Sequence, residues 1–496
     1  MSERTSTVRA PEGAAPAVNP WPALWAMVIG FFMILVDTTI VSVANPAIKA
    51  ALDPSTGNLD NVVWVTSSYL LAYAVPLLVT GRLGDRFGPK NIYLIGLAIF
   101  TIASLACGLS GSLAVLVIAR AVQGLGAALM TPQTMAVITR TFPAERRGAA
   151  MGLWGATAGV ATLVGPLAGG LLVDGFGWEW IFFVNIPVGV VAFVLAWRLV
   201  PQLETHPHRF DVVGVVLSAI GLFLIVFGLQ EGEHYDWAAG IWAMIGAGIV
   251  VMAVFVWTQG RTKSEPLVPL ELFLDRNFAI SNLAIAAVGF TVTSMALPMA
   301  FFTQLARGLT PTQSALLLVP MAVLSGALAP LAGRILDRVD PRLLLVPGLT
   351  LMVLGLVGYA LLMNTEAPVL LLLIPAAIIG VANAGMWGPL ATTATRNLPP
   401  RQAGAGSGIY NTTRTVGSVI GSAAIAAYMQ SRLTANLPGA GDAAGGDFGG
   451  GGAMPPAIAE GFSAAMAQAM ILPAIVIGVA VIVVIFLKRP AHLVRR

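Results

Sequence analysis

Gly81-Arg82-Leu83-Gly84-Asp85-Arg86-Phe87-Gly88-Pro89-Lys90 returns 252 residues later in weaker form, as Gly333-Arg334-Ile335-Leu336-Asp337-Arg338-Val339-Asp340-Pro341-Arg342. Both copies lie between long apolar segments, so the chain reads as two related halves. Repeated halves with a binding site at their junction are a common way to build a membrane carrier.

Composition supports that reading. The 496 residues are 57% hydrophobic and only 10% charged, with mean hydropathy +0.84. Soluble domains carry about a quarter charged residues, so this is a polytopic membrane protein. The sequence pI of 9.4 does not indicate a nucleic-acid partner, because the basic residues fall between apolar spans. A single cysteine, Cys107, excludes intrachain disulfides. The four histidines (His206, His208, His234 and His492) lack metal-ligand spacing, and no metal is expected. No Gly-Lys dipeptide occurs, which removes a Walker A loop. With no nucleophile elbow or dinucleotide fingerprint either, the chain is not expected to be an enzyme. It would need no cofactor beyond a proton gradient.

A spanning helix needs about 20 mostly apolar residues. Fourteen candidates follow, near 23–46, 61–80, 91–110, 113–136, 149–173, 179–199, 211–230, 238–258, 278–302, 313–333, 343–362, 368–390, 404–428 and 469–487. Residues 1–22 form a polar tail, expected to be disordered. The repeated phrase aligns a six-helix bundle over 23–200 with a second over 278–487, leaving 211–258 as two inserted helices. An external loop over 429–468 contains a glycine-rich stretch, 438–452, and 488–496 is a basic tail. With the N-terminus inside, cytoplasmic segments hold 22 of the 27 Lys and Arg residues and external loops hold three, Lys49, Arg307 and Arg432. That bias sets orientation and requires both termini to be cytoplasmic. The 23 arginines against four lysines suggest a GC-rich bacterial genome, hence a bacterial cytoplasmic membrane.

Charge inside a bilayer is costly and usually faces the bundle interior. Three such residues stand out: Asp37, Arg120 and Arg414. At about 1.5 Å per residue, Asp37 lies roughly 21 Å from the inner face and Arg120 about 20 Å from it. Arg414 lies about 15 Å in, near the midplane. A static buried pair would account for Asp37 and Arg120. The functional reading is a protonatable carboxylate beside a fixed cation: the cation favours the ionised form, and desolvation favours the neutral one. Gln123 and Asn411 share spans with these arginines and, with Arg414, are expected to face a central cavity. Gly155, Gly159, Gly165 and Gly169 allow close helix approach, and Pro166 should kink the fifth span.

Leu35 to Pro46, Gly81 to Lys90, Arg120-Ala121-Val122-Gln123-Gly124-Leu125-Gly126, Gly155 to Gly170 and Trp178 to Gly189 together resemble the motifs of the major facilitator superfamily. The likeness is narrower still, to its fourteen-span drug/proton antiporters of the multidrug and quaternary-ammonium exporter type. It covers nearly the whole chain. The resemblance implies an all-α fold of two six-helix bundles plus two extra helices, which rock about a central cavity. It also implies proton transfer at Arg120 with Asp37. Gly81, Arg82, Asp85 and Arg86, with Arg334, Asp337 and Arg338, would form a cytoplasmic gate. Gly155 to Gly169 would form the antiporter motif.

The expected function is proton-coupled export of lipophilic drugs or antibiotics by a carrier that works as a monomer among membrane lipids. The same scaffold could export a lipid or an endogenous metabolite, and a non-transporting sensor is a third reading. Two arginines against one aspartate favour neutral, monocationic or anionic substrates over dications.

Overall fold

In a bilayer each backbone polar group must be satisfied within its own segment, so apolar runs of this length fold as helices. The computed structural model describes residues 19–52, 60–143, 146–205, 211–232, 235–262, 266–437 and 456–489. The first bundle comprises α1 (Trp21–Leu52), α2 (Asp60–Ala74), α3 (Leu77–Phe87), α4 (Pro89–Gly108), α5 (Leu113–Thr141), α6 (Arg147–Phe176), α7 (Trp180–Phe183) and α8 (Asn185–Leu199). Two helices follow, α9 (Val212–Glu231) and α10 (Ala239–Arg261). The second bundle comprises α11 (Arg276–Phe301), α12 (Pro311–Leu316), α13 (Val319–Leu336), α14 (Arg342–Leu362) and α15 (Leu373–Thr395). It closes with α16 (Ala403–Asn436), α17 (Pro456–Ala469) and α18 (Ile471–Val484).

Twelve helical segments among the described residues are long and apolar enough to cross a membrane, and the pair α2/α3, bent by 46°, makes a thirteenth. The bend sits at Pro76, which has no N–H to continue the helix. Helix α16 is 34 residues long but more polar than those twelve. Residues 403–412 are all buried between the bundles, so that part of α16 needs no lipid-facing apolar surface. Counting it gives fourteen. The outer surface carries the apolar side chains instead: Leu109, Leu171, Leu361 and Leu370 are all more than two-thirds exposed.

Several expected boundaries shift. The repeated phrase was expected as a loop, yet Gly81–Phe87 continue as helix α3, and the turn narrows to Gly88, whose φ is +88°. Trp21 and Pro22, assigned to the tail, already belong to α1. The expected 429–468 loop is largely helical: α16 runs to Asn436, α17 begins at Pro456, and Asn436 pairs with Gln468 at 3.1 Å. Its Ala-, Ser- and Gln-rich sequence lowers hydropathy without opposing helix formation. The glycine-rich 438–452, most of both tails and the four histidines lie outside the described residues.

Within each half, neighbouring helices pack closely, α4 on α5 and α1 on α6 in the first, α11 on α16 and α14 on α15 in the second. The halves meet along two seams, α3 with α16 and α6 with α13. Of the inserted pair, α9 lies against α2 and α16. Asp211 ties this pair down: it caps α9 by accepting from Gly214 N at 2.8 Å and accepts from Gln259 Nε2 at 2.6 Å.

Candidate functional site

The sixth span breaks at Val184, between α7 and α8. Pro187 explains the break, since it cannot donate to the carbonyl four residues earlier and its ring crowds that carbonyl. Asn185 is thereby turned inward at the start of α8. Its Nδ2 donates to Asp37 Oδ1 at 3.0 Å and to Ser104 Oγ at 3.2 Å. Gln123 Nε2 donates to the same Asp37 oxygen at 2.9 Å and to Ser104 Oγ at 2.6 Å. Arg120 Nη1 donates to Asp37 Oδ2 at 2.6 Å. Both members of the ion pair are completely buried.

Such a pair persists because the desolvation cost, several kcal/mol per ion, is offset only where geometry and extra hydrogen bonds are good. Three donors on one carboxylate meet that condition. Arg120 is held in turn: its Nε donates to Val65 O at 3.1 Å, and its guanidinium lies 4.1 Å from the Tyr69 ring centre. Its Nη2 is buried without a hydrogen-bond partner. The similar depths expected for Asp37 and Arg120 therefore correspond to direct contact. Cys107 Sγ, 3.7 Å from Gln123 Oε1, completes the wall of this cluster.

The repeated phrase builds two matching latches. Asp85 on α3 accepts from the backbone N–H groups of Gly404 at 3.0 Å and Ala405 at 2.9 Å, the first turn of α16. Asp337, at the end of α13, accepts from Gly148 N at 2.9 Å and Ala149 N at 3.4 Å, the first turn of α6. A carboxylate at a helix N-terminus satisfies orphan donors and meets the positive end of the helix dipole. The glycines permit the approach: a Cβ on Gly81 would lie 3.0 Å from Gly408 Cα, and one on Gly333 would lie 3.0 Å from Ala149 Cα. Arg82 is buried and Arg86 half-buried, whereas Arg334 and Arg338 are exposed. Arg396 Nη2 lies 3.9 Å from Asp337 Oδ1.

Helix α6, which carries Gly155 to Gly169, forms the second seam and turns its far half to a cavity of about 340 Å³. Gly159 and Pro166 line it from the first bundle, Met295, Met299, Asn383 and Trp387 from the second. Gly155 abuts Trp387, where a Cβ would come within 2.9 Å of the tryptophan Cβ. At Gly165 a Cβ would lie 2.9 Å from Thr39 Cβ, so α6 and α1 touch there, and Gly169 is buried nearby. Pro298 lies inside the last turn of α11 and a π-turn follows over Phe302–Ala306, with Thr303 and Gln304 on the cavity wall. Bulges of this kind often mark functional sites.

Gln123, Asn411 and Arg414 were expected at the cavity, but none of them lines this one. Gln123 belongs to the Asp37 cluster. Asn411 is buried and donates to Ser407 O at 2.9 Å. Arg414 is half-buried at the junction of the bundles, with Nη2 donating to the Tyr73 hydroxyl at 3.2 Å.

A sequence profile described as "Major Facilitator Superfamily" matches residues 27–422. The chain belongs to the major facilitator superfamily. It is 52% identical over 486 residues to an uncharacterised transporter of this type from Mycobacterium tuberculosis, covering 97% of this chain and 83% of that one. It is 34% identical over 438 residues to the tetracenomycin C resistance and export protein of Streptomyces glaucescens, covering 86% and 80%. The solved structure of the proton:xylose symporter XylE superposes with a TM-score of 0.64 at 16% identity, over 95% of this chain and 96% of that one. That last likeness concerns the fold alone.

Within this superfamily fold, sequence reasoning passed over five contributors. Asn185, Ser104 and Tyr69 complete the Asp37–Arg120 cluster, and the helix starts at Gly148 and Gly404 receive the latch carboxylates. A second internal repeat carried the signal for the latter, Gly-Ala-x-x-Gly at 148–152 and at 404–408. Asp37 was also expected to be the lone carboxylate within the spans. Asp85 and Glu231 are buried as well, both on spanning helices, because α3 and α9 extend past their expected ends.

Proposed function

We propose that this protein is a proton-coupled antiporter that exports lipophilic small molecules by alternating access, with Asp37 as the proton site and Arg120 as its tuning cation. The observation that carries the reading is the sealed Asp37–Arg120–Gln123–Asn185 cluster. Asp37 receives three donors, the arrangement of an ionised carboxylate, and protonation would cost it the Arg120 contact. Releasing Arg120, which also rests on Tyr69 and Val65 O, would loosen α5 from α2. A proton can thus be exchanged for a helix rearrangement, which a purely structural ion pair would not require.

The arginine-rich end is read as cytoplasmic, with both termini on that side. The two Asp latches then close the inner gate, and the cavity lies in the outer half, an outward-facing state. The 340 Å³ cavity is of a size to take a small organic ligand. The export named for the Streptomyces relative agrees with this direction. The carrier works as a monomer, draws on the proton gradient and needs no cofactor.

Reconstitution into vesicles bearing a proton gradient tests the proposal. Substrate accumulation should follow the gradient and collapse with a protonophore. Gradient-independent movement, or none for any of a panel of lipophilic antibiotics and dyes, would refute it.

A further inference from the structure

We propose that the cavity between the bundles selects uncharged, acceptor-bearing lipophilic compounds and discriminates against organic cations. This narrows the exporter reading and rests on it. None of the described residues lining the cavity carries a charge. The nearest acid in sequence, Asp37, is unavailable: Thr39 lines the cavity, and a two-residue step turns about 200° around a helix, so Asp37 points to the opposite side of α1. There it is fully buried against Arg120. A cation entering the cavity would lose hydration and gain no counter-charge, which disfavours its entry.

The polar groups on the wall are hydroxyls and side-chain amides, and several of them have a donor free. Tyr359 is among the lining residues, and its hydroxyl oxygen is buried just behind the wall with no hydrogen-bond partner. Ser314 also lines the cavity, and its Oγ is buried without a partner. Asn383 Oδ1 accepts from Trp387 Nε1 at 3.3 Å, which leaves its Nδ2–H₂ to face the cavity. An unsatisfied buried hydroxyl carries a desolvation penalty, which is relieved when a ligand acceptor meets it. Methionines 295, 299, 321 and 470 supply a polarizable apolar lining, and Trp387 offers an aromatic surface. A planar ring system carrying carbonyl oxygens fits these features: its faces meet the apolar wall and its oxygens accept from Tyr359 and Asn383.

The test compares two planar probes on the full chain in detergent, by equilibrium dialysis against a micelle blank. One is 1,8-dihydroxyanthraquinone, neutral and acceptor-bearing; the other is the cation ethidium. Wild type should bind the quinone at least about tenfold more tightly than ethidium, as a single missing counter-charge implies. Tyr359→Phe keeps the ring and should weaken the quinone about fivefold while leaving ethidium unchanged. Asn383→Asp keeps the acceptor for Trp387, adds a carboxylate and should tighten ethidium about tenfold or more. Ethidium bound as tightly as the quinone by wild type, or an unaltered preference in Asn383→Asp, would overturn the selectivity and leave the exporter standing. Binding of neither probe, with no transport of either in vesicles, would overturn the exporter reading as well.

Discussion

Arg414 on the second bundle donates from Nη2 to the Tyr73 hydroxyl on the first at 3.2 Å. The Tyr73 ring stacks on that of Tyr69, with centroids 6.2 Å apart, and Tyr69 lies beneath the Arg120 guanidinium. Tyr73 and Tyr69 are four residues apart on α2, one helical turn. A continuous file of side chains therefore runs from Asp37 through Arg120, Tyr69 and Tyr73 to the junction of the two bundles. It gives the proton site a physical route to the element that must move.

Arg414 is expected to be a coupling residue. Tyr73→Phe removes the acceptor, retains the stack and forfeits about 0.5–1.5 kcal/mol across the junction, more if the charged partner is left unpaired. Transport should slow several-fold while purified protein melts near the wild-type temperature. Unchanged turnover in both Tyr73→Phe and Arg414→Gln, measured in vesicles, would remove this contact from the mechanism.

The two latches predict matched phenotypes. Asp85→Asn and Asp337→Asn each keep shape but drop the charge at a helix N-terminus, worth about 0.3–2 kcal/mol. Each should shift the population toward opening at the arginine-rich end, read as faster cysteine labelling along the α3–α16 or α6–α13 seam. Labelling at the wild-type rate in both variants would reduce the carboxylates to static caps.

Close approach at α6 should not tolerate bulk. At Gly159 even a Cβ would sit 2.9 Å from Ser325 Cβ, and at Gly165 the same distance from Thr39 Cβ. Gly159→Leu and Gly165→Leu should insert normally and lose or uncouple transport, whereas Gly170, whose Cβ would have only Thr312 near it at 3.7 Å, should accept alanine. Wild-type coupling in both leucine variants would make the motif ordinary packing.

Orientation is checked in a Cys107→Ala background, since that thiol is buried and is the sole cysteine. Asp236→Cys, exposed in the turn between α9 and α10, should react with an impermeant maleimide from outside. Arg338→Cys, exposed beside a latch, should react only from inside. The reverse pattern would invert the gate and the direction of transport.

What the sequence disclosed follows its physics. Hydropathy and the Arg/Lys bias find apolar spans, and the repeated phrase finds the two-fold relation of the bundles. The Asp37–Arg120 pairing was legible because intramembrane charges are few and their depths could be compared. Asn185 was not legible, since an uncharged amide stands out only once Pro187 has broken its helix. The partners of Asp85 and Asp337 are backbone N–H groups, which only the Gly-Ala-x-x-Gly repeat at 148–152 and 404–408 signals. Glu231 escaped notice because α9 runs one residue past its expected end, and the continuation of α16 from 428 to Asn436 because its last turns are polar.

Substrate-induced proton release from detergent-solubilised protein, followed with a pH indicator across a pH series, bears most directly on the central claim. Wild type should release protons when a transported compound is added. Asp37→Asn should still bind that compound and release none, and Asp37→Glu should release in part. If Asp37→Asn releases protons as wild type does, the coupling acid lies elsewhere, with the buried Asp85 and Glu231 next in line, and the proposed mechanism fails.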